Sequence, residues 1–251
     1  LKDVPAELAP GLVLGALPER ADPSDVLVTA DGAALDDLEA GSRIGTNSLR
    51  RTLQLRRQRG DLDYAMLRGN VDTRLRKLEN GEYRAIVLAA AGLRRLSLWD
   101  RPLWPIPIDI SVPAVGQGCL AVEARADDAR TLALLAKLDH APTRACVEAE
   151  RAFLALLGGD CHTPIGGHAQ FIDNGSRVRF DGWVGSITGT EHVRAAQDTW
   201  IEDKQSLQAH ALQVAREVAK TLLTGGAQEM ITKAKEEAAR QQLDPRAKPK
   251  G

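Results

Sequence analysis

Cysteine is scarce in this chain. Cys119, Cys146 and Cys161 are three in 251 residues, and no Cys-x-x-Cys pair occurs. An odd number at wide spacing excludes a disulfide framework, and without paired ligands a structural zinc site is not expected either. Aromatics are only 4% of the residues, too few for a surface that stacks nucleic-acid bases. Long apolar runs are missing too, and none approaches the roughly 18 residues of a membrane-spanning helix. The opening Leu1-Lys2-Asp3-Val4-Pro5 is unlike a secretory leader, so a cytoplasmic location is expected. Nor is there a charge excess: 33 Lys and Arg face 34 Asp and Glu, a net charge of -1. This excludes a uniformly basic or acidic protein.

What the chain does have is charge segregation. Residues 1–42 carry a net charge of -7, residues 43–101 carry +8, and the remainder carries -2. Of the 33 basic residues, 24 are Arg, whose planar guanidinium captures carboxylate or phosphate in a two-point grip. An Arg-rich block is also what a solvated helix face looks like.

Along the chain, residues 11–17, 26–28, 43–45, 63–67 and 85–90 read as strands. Helices are expected over 48–59, 71–79 and 92–96, with Gly60 and Asn80-Gly81 as stops. This strand–helix rhythm predicts an α/β domain with a parallel or mixed sheet. Residues 98–118, with Pro102, Pro105, Pro107 and Pro113, read as an irregular crossing between domains. A strand at 119–124 and helices over 127–138 and 142–157 follow. Strands at 169–172, 177–185 and 191–195 and a helix over 206–223 complete the pattern. The charged segment 233–251 is expected to fray.

Three constellations point to an anion. Arg43-Ile44-Gly45-Thr46-Asn47-Ser48-Leu49-Arg50-Arg51 runs from a strand end through a polar turn into a helix. Its first turn carries two cations, against the helix dipole. Leu67-Arg68-Gly69-Asn70-Val71-Asp72-Thr73-Arg74 repeats the design, and Gly92-Leu93-Arg94-Arg95 follows the next strand. In open α/β sheets such strand ends converge on one crevice. Separately, Gly158-Gly159-Asp160-Cys161-His162-Thr163-Pro164 places a thiol on a Gly-rich turn. Free cysteines are more often small buried hydrophobes, a description that suits Cys119 and Cys146.

These motifs resemble the porphobilinogen deaminase (hydroxymethylbilane synthase) family. The likeness runs from Leu1 to about Ile231. It includes Lys2-Asp3-Val4-Pro5, Gly45–Arg51, Leu67–Lys77, Leu88–Leu93, Pro113–Gly118, and Glu150-Arg151 followed by Gly159-Asp160-Cys161. The resemblance implies a three-domain α/β fold with an α+β carboxy-terminal domain, domains 1 and 2 being periplasmic-binding-protein-like. Domain 1 would be incomplete, built from 1–18 and 119–138. Domain 2 would span 19–118, domain 3 would span 140–231, and 232–251 would be a charged tail. It also implies a transferase that condenses four porphobilinogen molecules into hydroxymethylbilane with release of ammonia. The product feeds heme and other tetrapyrroles.

A dipyrromethane cofactor would be bound to Cys161 as a thioether, with Lys2, Ser48, Arg50, Arg51 and Arg74 around it. Asp3 would be the catalytic aspartate. Thr46, Arg68, Arg74, Arg95 and Gln117 would bind substrate, and no metal is implied. A monomer is expected, with no nucleic-acid or membrane partner. The chemistry suits the residues, since each pyrrole carries two carboxylates for Arg forks. One carboxylate facing the pyrrole N–H can stabilise the cation left when ammonia departs.

Two departures are expected to matter. Asp160 replaces a small residue and would raise the Cys161 thiol pKa. The family also begins roughly 80 residues earlier, so the chain by itself would be an inactive fragment. The rival readings are a non-catalytic binder of small anions and, less well supported by composition, a phosphate-reading nucleic-acid module.

Overall fold

The computed structural model describes residues 1–5, 8–160, 163–203 and 206–243. Three sheets organise it. The largest contains β2 (Asp25–Thr29), β3 (Arg43–Gly45), β4 (Asp63–Ala65), β5 (Ala85–Ala89) and β6 (Leu103–Ile106), in the order β4-β3-β5-β2-β6. It is mixed: β3 runs parallel to β4 and β5, whereas β2 runs antiparallel to β5 and β6.

Alternation along β2 shows why this sheet is apolar on both faces. Val26 and Val28 pack with Ile86 and Leu88 beneath α2 (Val71–Glu79) and α3 (Ala90–Arg95). Leu27 packs on the opposite face with Ile44 and Val87 beneath α1 (Leu49–Gln58). Ser48 caps α1 by accepting from the Arg51 N–H, and Asn70 caps α2 by accepting from the Thr73 N–H.

A second sheet pairs β1 (Leu12–Ala16) with β7 (Val122–Arg125), and α4 (Ala129–Leu135) lies against it. The third is an antiparallel meander of β8 (Ile165–Ile172), β9 (Arg177–Gly185) and β10 (His192–Trp200). It carries α5 (Ala141–Leu157) and α6 (Leu207–Thr224) on one face. Phe153 and Phe180 meet there with ring centroids 4.8 Å apart. The approach is close enough that a Cβ at Gly182 would stand 2.6 Å from Val218.

Two expectations are corrected. The crossing at 98–118 contains the edge strand β6. Pro105 is tolerated in it because β6 pairs on one side only, with β2. The segment from 233 does not fray at once, since α7 (Ala227–Leu243) continues through it. Ala227, Met230, Ile231 and Ala234 recur at helical spacing and are buried in the core of the third sheet or beside it.

Candidate functional site

Strand directions decide where the loops meet. The carboxyl ends of β3, β4, β5 and β6 and the amino end of β2 share one edge, where Asp25 stands opposite Ala89 and Ile106. Thr46 to Ser48, Arg68 to Asn70 and residues 107–118 all leave from this edge, the usual ligand-binding edge of open α/β sheets.

At its centre lies a carboxylate that the sequence reading missed. Asp25 is fully buried. Its Oδ1 accepts from Arg51 Nε at 2.8 Å, Gln117 Nε2 at 2.9 Å and Arg50 at 3.2 Å, and its Oδ2 accepts from Ser111 Oγ at 2.9 Å. Burial alone would push this carboxyl up. The Arg50 and Arg51 charges, with hydrogen bonds from Arg50 and Gln117, hold it far below the usual carboxylate range.

The two cations in the first turn of α1 therefore have an internal anion. Arg50 also donates to the Val112 carbonyl at 2.6 Å, and Arg51 to the Val87 carbonyl at 3.1 Å. Thr46 is buried, and its hydroxyl accepts from the Ser48 N–H at 3.2 Å. Arg50, Arg51, Ser48, Thr46 and Gln117 are thus gathered at one place, where their mutual contacts shape the edge.

Arg68, Arg74 and Arg95 behave differently. Arg68 Nε lies 3.2 Å from Met66 Sδ, Arg74 Nε donates to the Gly69 carbonyl at 2.7 Å, and Arg95 donates to the Gly118 carbonyl at 2.7 Å. Those partners are neutral, and among the described residues none of the three cations has a carboxylate within ion-pair distance. Arg74 is half-buried. Burial and then the like charge of Arg51 push it below the usual guanidinium value.

Asp3 presents a carboxylate with its side chain 82% exposed, paired with Lys2 Nζ at 2.7 Å. The Leu1 side chain leans on Gly116, and the Pro5 carbonyl accepts from Arg151 at 2.8 Å. Cys161 and His162 lie outside the described residues. On either side of them in sequence, Asp160 Oδ1 accepts from the Thr163 N–H at 3.1 Å, and Thr163 Oγ1 donates to the Asp160 carbonyl at 2.7 Å.

A second buried carboxylate, Glu150, was quoted in sequence only as part of a motif. It accepts from Arg20 at 2.5 and 3.2 Å, from the Gly116 N–H at 2.7 Å and from the Ala169 N–H at 2.9 Å. Burial pushes its carboxyl up, but the Arg20 charge and the nearby His168 hold it down at about 2. A signal was available for both acids. Asp25 opens a strand whose next three residues, Val26 to Val28, are apolar, and Glu150 sits on the apolar face of α5 between Cys146 and Phe153. A carboxylate in such a place requires a partner. Among the described residues no group of three His, Cys, Asp or Glu could hold a metal ion.

Comparison with known proteins places the sequence in a family. The family model "Porphobilinogen deaminase, dipyromethane cofactor binding domain" matches residues 1–133, and "Porphobilinogen deaminase, C-terminal domain" matches residues 144–224. Porphobilinogen deaminase from Brevibacillus brevis is 52% identical over 76% of this chain and 62% of its own length. The Syntrophobacter fumaroxidans protein of that name is 44% identical over 92% of this chain and 72% of its own. That of Desulforudis audaxviator is 46% identical over 93% and 72%. The chain thus spans 62–72% of the length of these relatives. Similar solved structures include the substrate binding protein of an amino acid ABC transporter, at 16% identity, 58% of this chain, 57% of that chain and a TM-score of 0.29. With both family models in chain order and relatives matching over most of the sequence, the chain belongs to the porphobilinogen deaminase family.

Proposed function

We propose that this chain serves the head-to-tail condensation of porphobilinogen into hydroxymethylbilane with release of ammonia, a step of tetrapyrrole biosynthesis. The observation that carries the reading is the set Arg68, Arg74 and Arg95, three guanidiniums that have no carboxylate within ion-pair distance among the described residues. Dipyrromethane fits this donor set, because its acetate and propionate groups supply the anions that the three cations lack. When bound as a thioether on Cys161, it supplies the primer from which the pyrrole chain grows.

Each group at the edge has a role in this reading. Lys2, Ser48, Arg50, Arg51 and Arg74 hold the cofactor carboxylates. Thr46, Arg68, Arg74, Arg95 and Gln117 hold those of the incoming pyrrole. Asp25 fixes the Arg50 and Arg51 planes so that little reorganisation accompanies binding. The Asp3 carboxylate faces the pyrrole N–H, stabilises positive charge there as ammonia leaves, and moves the proton. The same reading divides the chain into domain 1 (1–18 and 119–138), domain 2 (19–118) and domain 3 (140–231). It takes the protein to be a cytoplasmic monomer.

Titration calorimetry tests this. Porphobilinogen is expected to bind, and its diester, which lacks both carboxylates, is not. Equal binding of porphobilinogen, acetate and phosphate would favour a general anion binder instead.

A further inference from the structure

Residues 1–5 have little structure of their own. The Val4 N–H turns back to the Leu1 carbonyl at 2.8 Å, and no strand pairs with the segment. Leu1 packs against a small cluster that includes Val147 of α5, and at the other end of the segment the Arg151 guanidinium donates to the Pro5 carbonyl at 2.8 Å across 146 residues of sequence. A second group converges on the same side chain: the Glu123 carboxylate of β7 acts on Arg151 electrostatically. Arg151 therefore links the amino-terminal segment to α5 and feels the charge of β7. It stands six residues before the end of α5 at Leu157, about 9 Å along the helix axis, and Cys161 follows that helix end four residues on in sequence.

We propose that Arg151 is a positioning residue: by holding the Pro5 carbonyl it fixes the Lys2–Pro5 segment, and with it the Asp3 carboxylate, relative to the helix that leads to Cys161. The proposal rests on the reading of Asp3 given above. Its physical basis is simple. A carboxylate that must face a reacting pyrrole has to be placed to better than about 1 Å, because a misplacement of that size costs up to about a hundredfold in rate. The Asp3 side chain, 82% exposed, has little packing of its own to do this, and Leu1 holds the segment only on the amino-terminal side. One hydrogen bond to the carbonyl two residues on can. A charged donor makes that bond stronger than a neutral one would.

The test uses the whole chain with Arg151→Ala, Arg151→Lys and Asp3→Asn. Relaxation of the Asp3 and Val4 backbone amides reports the brace directly. Their order parameters are expected near 0.85 in the unsubstituted chain and below about 0.6 in Arg151→Ala, with Arg151→Lys in between. Covalent gain of pyrrole mass from porphobilinogen reports function. Arg151→Ala should slow it about tenfold with apparent affinity within about twofold, and should add no further loss on the Asp3→Asn background. Unchanged order parameters, or an affinity that falls as far as the rate, would overturn the proposal. An Asp3→Asn chain that gains pyrrole mass as fast as the unsubstituted one would overturn the role of Asp3, while the relaxation result still decides the brace.

Discussion

Arg20 and Glu150, 130 residues apart in sequence, close a two-point ion pair at 2.5 and 3.2 Å around a wholly buried carboxylate. Through it, one acid ties the chain after β1, the crossing at Gly116 and Gln117, and strand β8 at Ala169. Removing the acid would strand the Arg20 charge in a site only 11% exposed. Glu150→Gln is expected to cost about 3–5 kcal/mol, which lowers Tm by roughly 6–20 °C in a chain of this size. Calorimetric melting checks it, and a fall of less than about 2 °C would contradict the account of this pair.

The same acid sets a pH window. Glu150 titrates at about 2 in the fold against an ordinary 4.5, so the unfolded chain binds the extra proton between those values. Stability then rises with pH across that interval and is lost as pH falls from about 4.5 towards 2. Asp25, also held low, acts in the same direction. Urea midpoints should be flat from about pH 7 to 5 and drop below that, and the drop should be shallower in Glu150→Gln.

Arg74 is partly buried and, among the described residues, has no carboxylate within ion-pair distance. Arg74→Ala is expected to weaken porphobilinogen binding about 10- to 100-fold, the range for a hydrogen bond to a charged group. Arg74→Lys should recover only part of this, because a point charge cannot grip a carboxylate at two points. Arg84→Ala is the control: Arg84 pairs with Asp31 on the surface and should leave binding unchanged. Calorimetry on the three variants checks the order.

Gly116 and Gly118 both have left-handed backbone, with φ of +71° and +86°. Any side chain at either position carries a similar strain of about 1–2 kcal/mol. Only at Gly118 would a Cβ strike backbone, 2.5 Å from the Ala21 carbonyl oxygen, whereas at Gly116 it meets the Leu1 side chain at 3.0 Å. Gly118→Ala should therefore be the less stable of the two in urea. Because the Gly118 carbonyl holds Arg95, it should also weaken porphobilinogen binding more.

Much of this was legible in sequence, and the parts that were not have physical reasons. The helix expected over 71–79 coincides with α2, because Asn70 and Asn80-Gly81 mark both ends. The strand β6 was hidden by Pro102, Pro105 and Pro107, whose effect is mild only because that strand lies at an edge. The helical part of the tail was hidden by its charge, since from 233 on Ala234 alone is buried among the described side chains.

At the site, the +8 block supplies Arg50, Arg51, Arg68, Arg74 and Arg95. Which guanidiniums are taken up internally depends on Asp25, and Asp25 reaches Arg51 only because β2 runs antiparallel to β5 and brings its first residue to the shared edge. Local sequence carries no record of that pairing. Glu150 was missed for the same reason, since its partner Arg20 lies 130 residues away.

The central claim is that Cys161 carries a pyrrole primer in an arginine-lined site. Intact mass of the chain, purified from cells that make porphobilinogen, tests it most directly. The account predicts an excess over the sequence mass of two porphobilinogen units less two ammonia molecules, abolished by Cys161→Ser. An unmodified mass, or an adduct that survives Cys161→Ser, would contradict it.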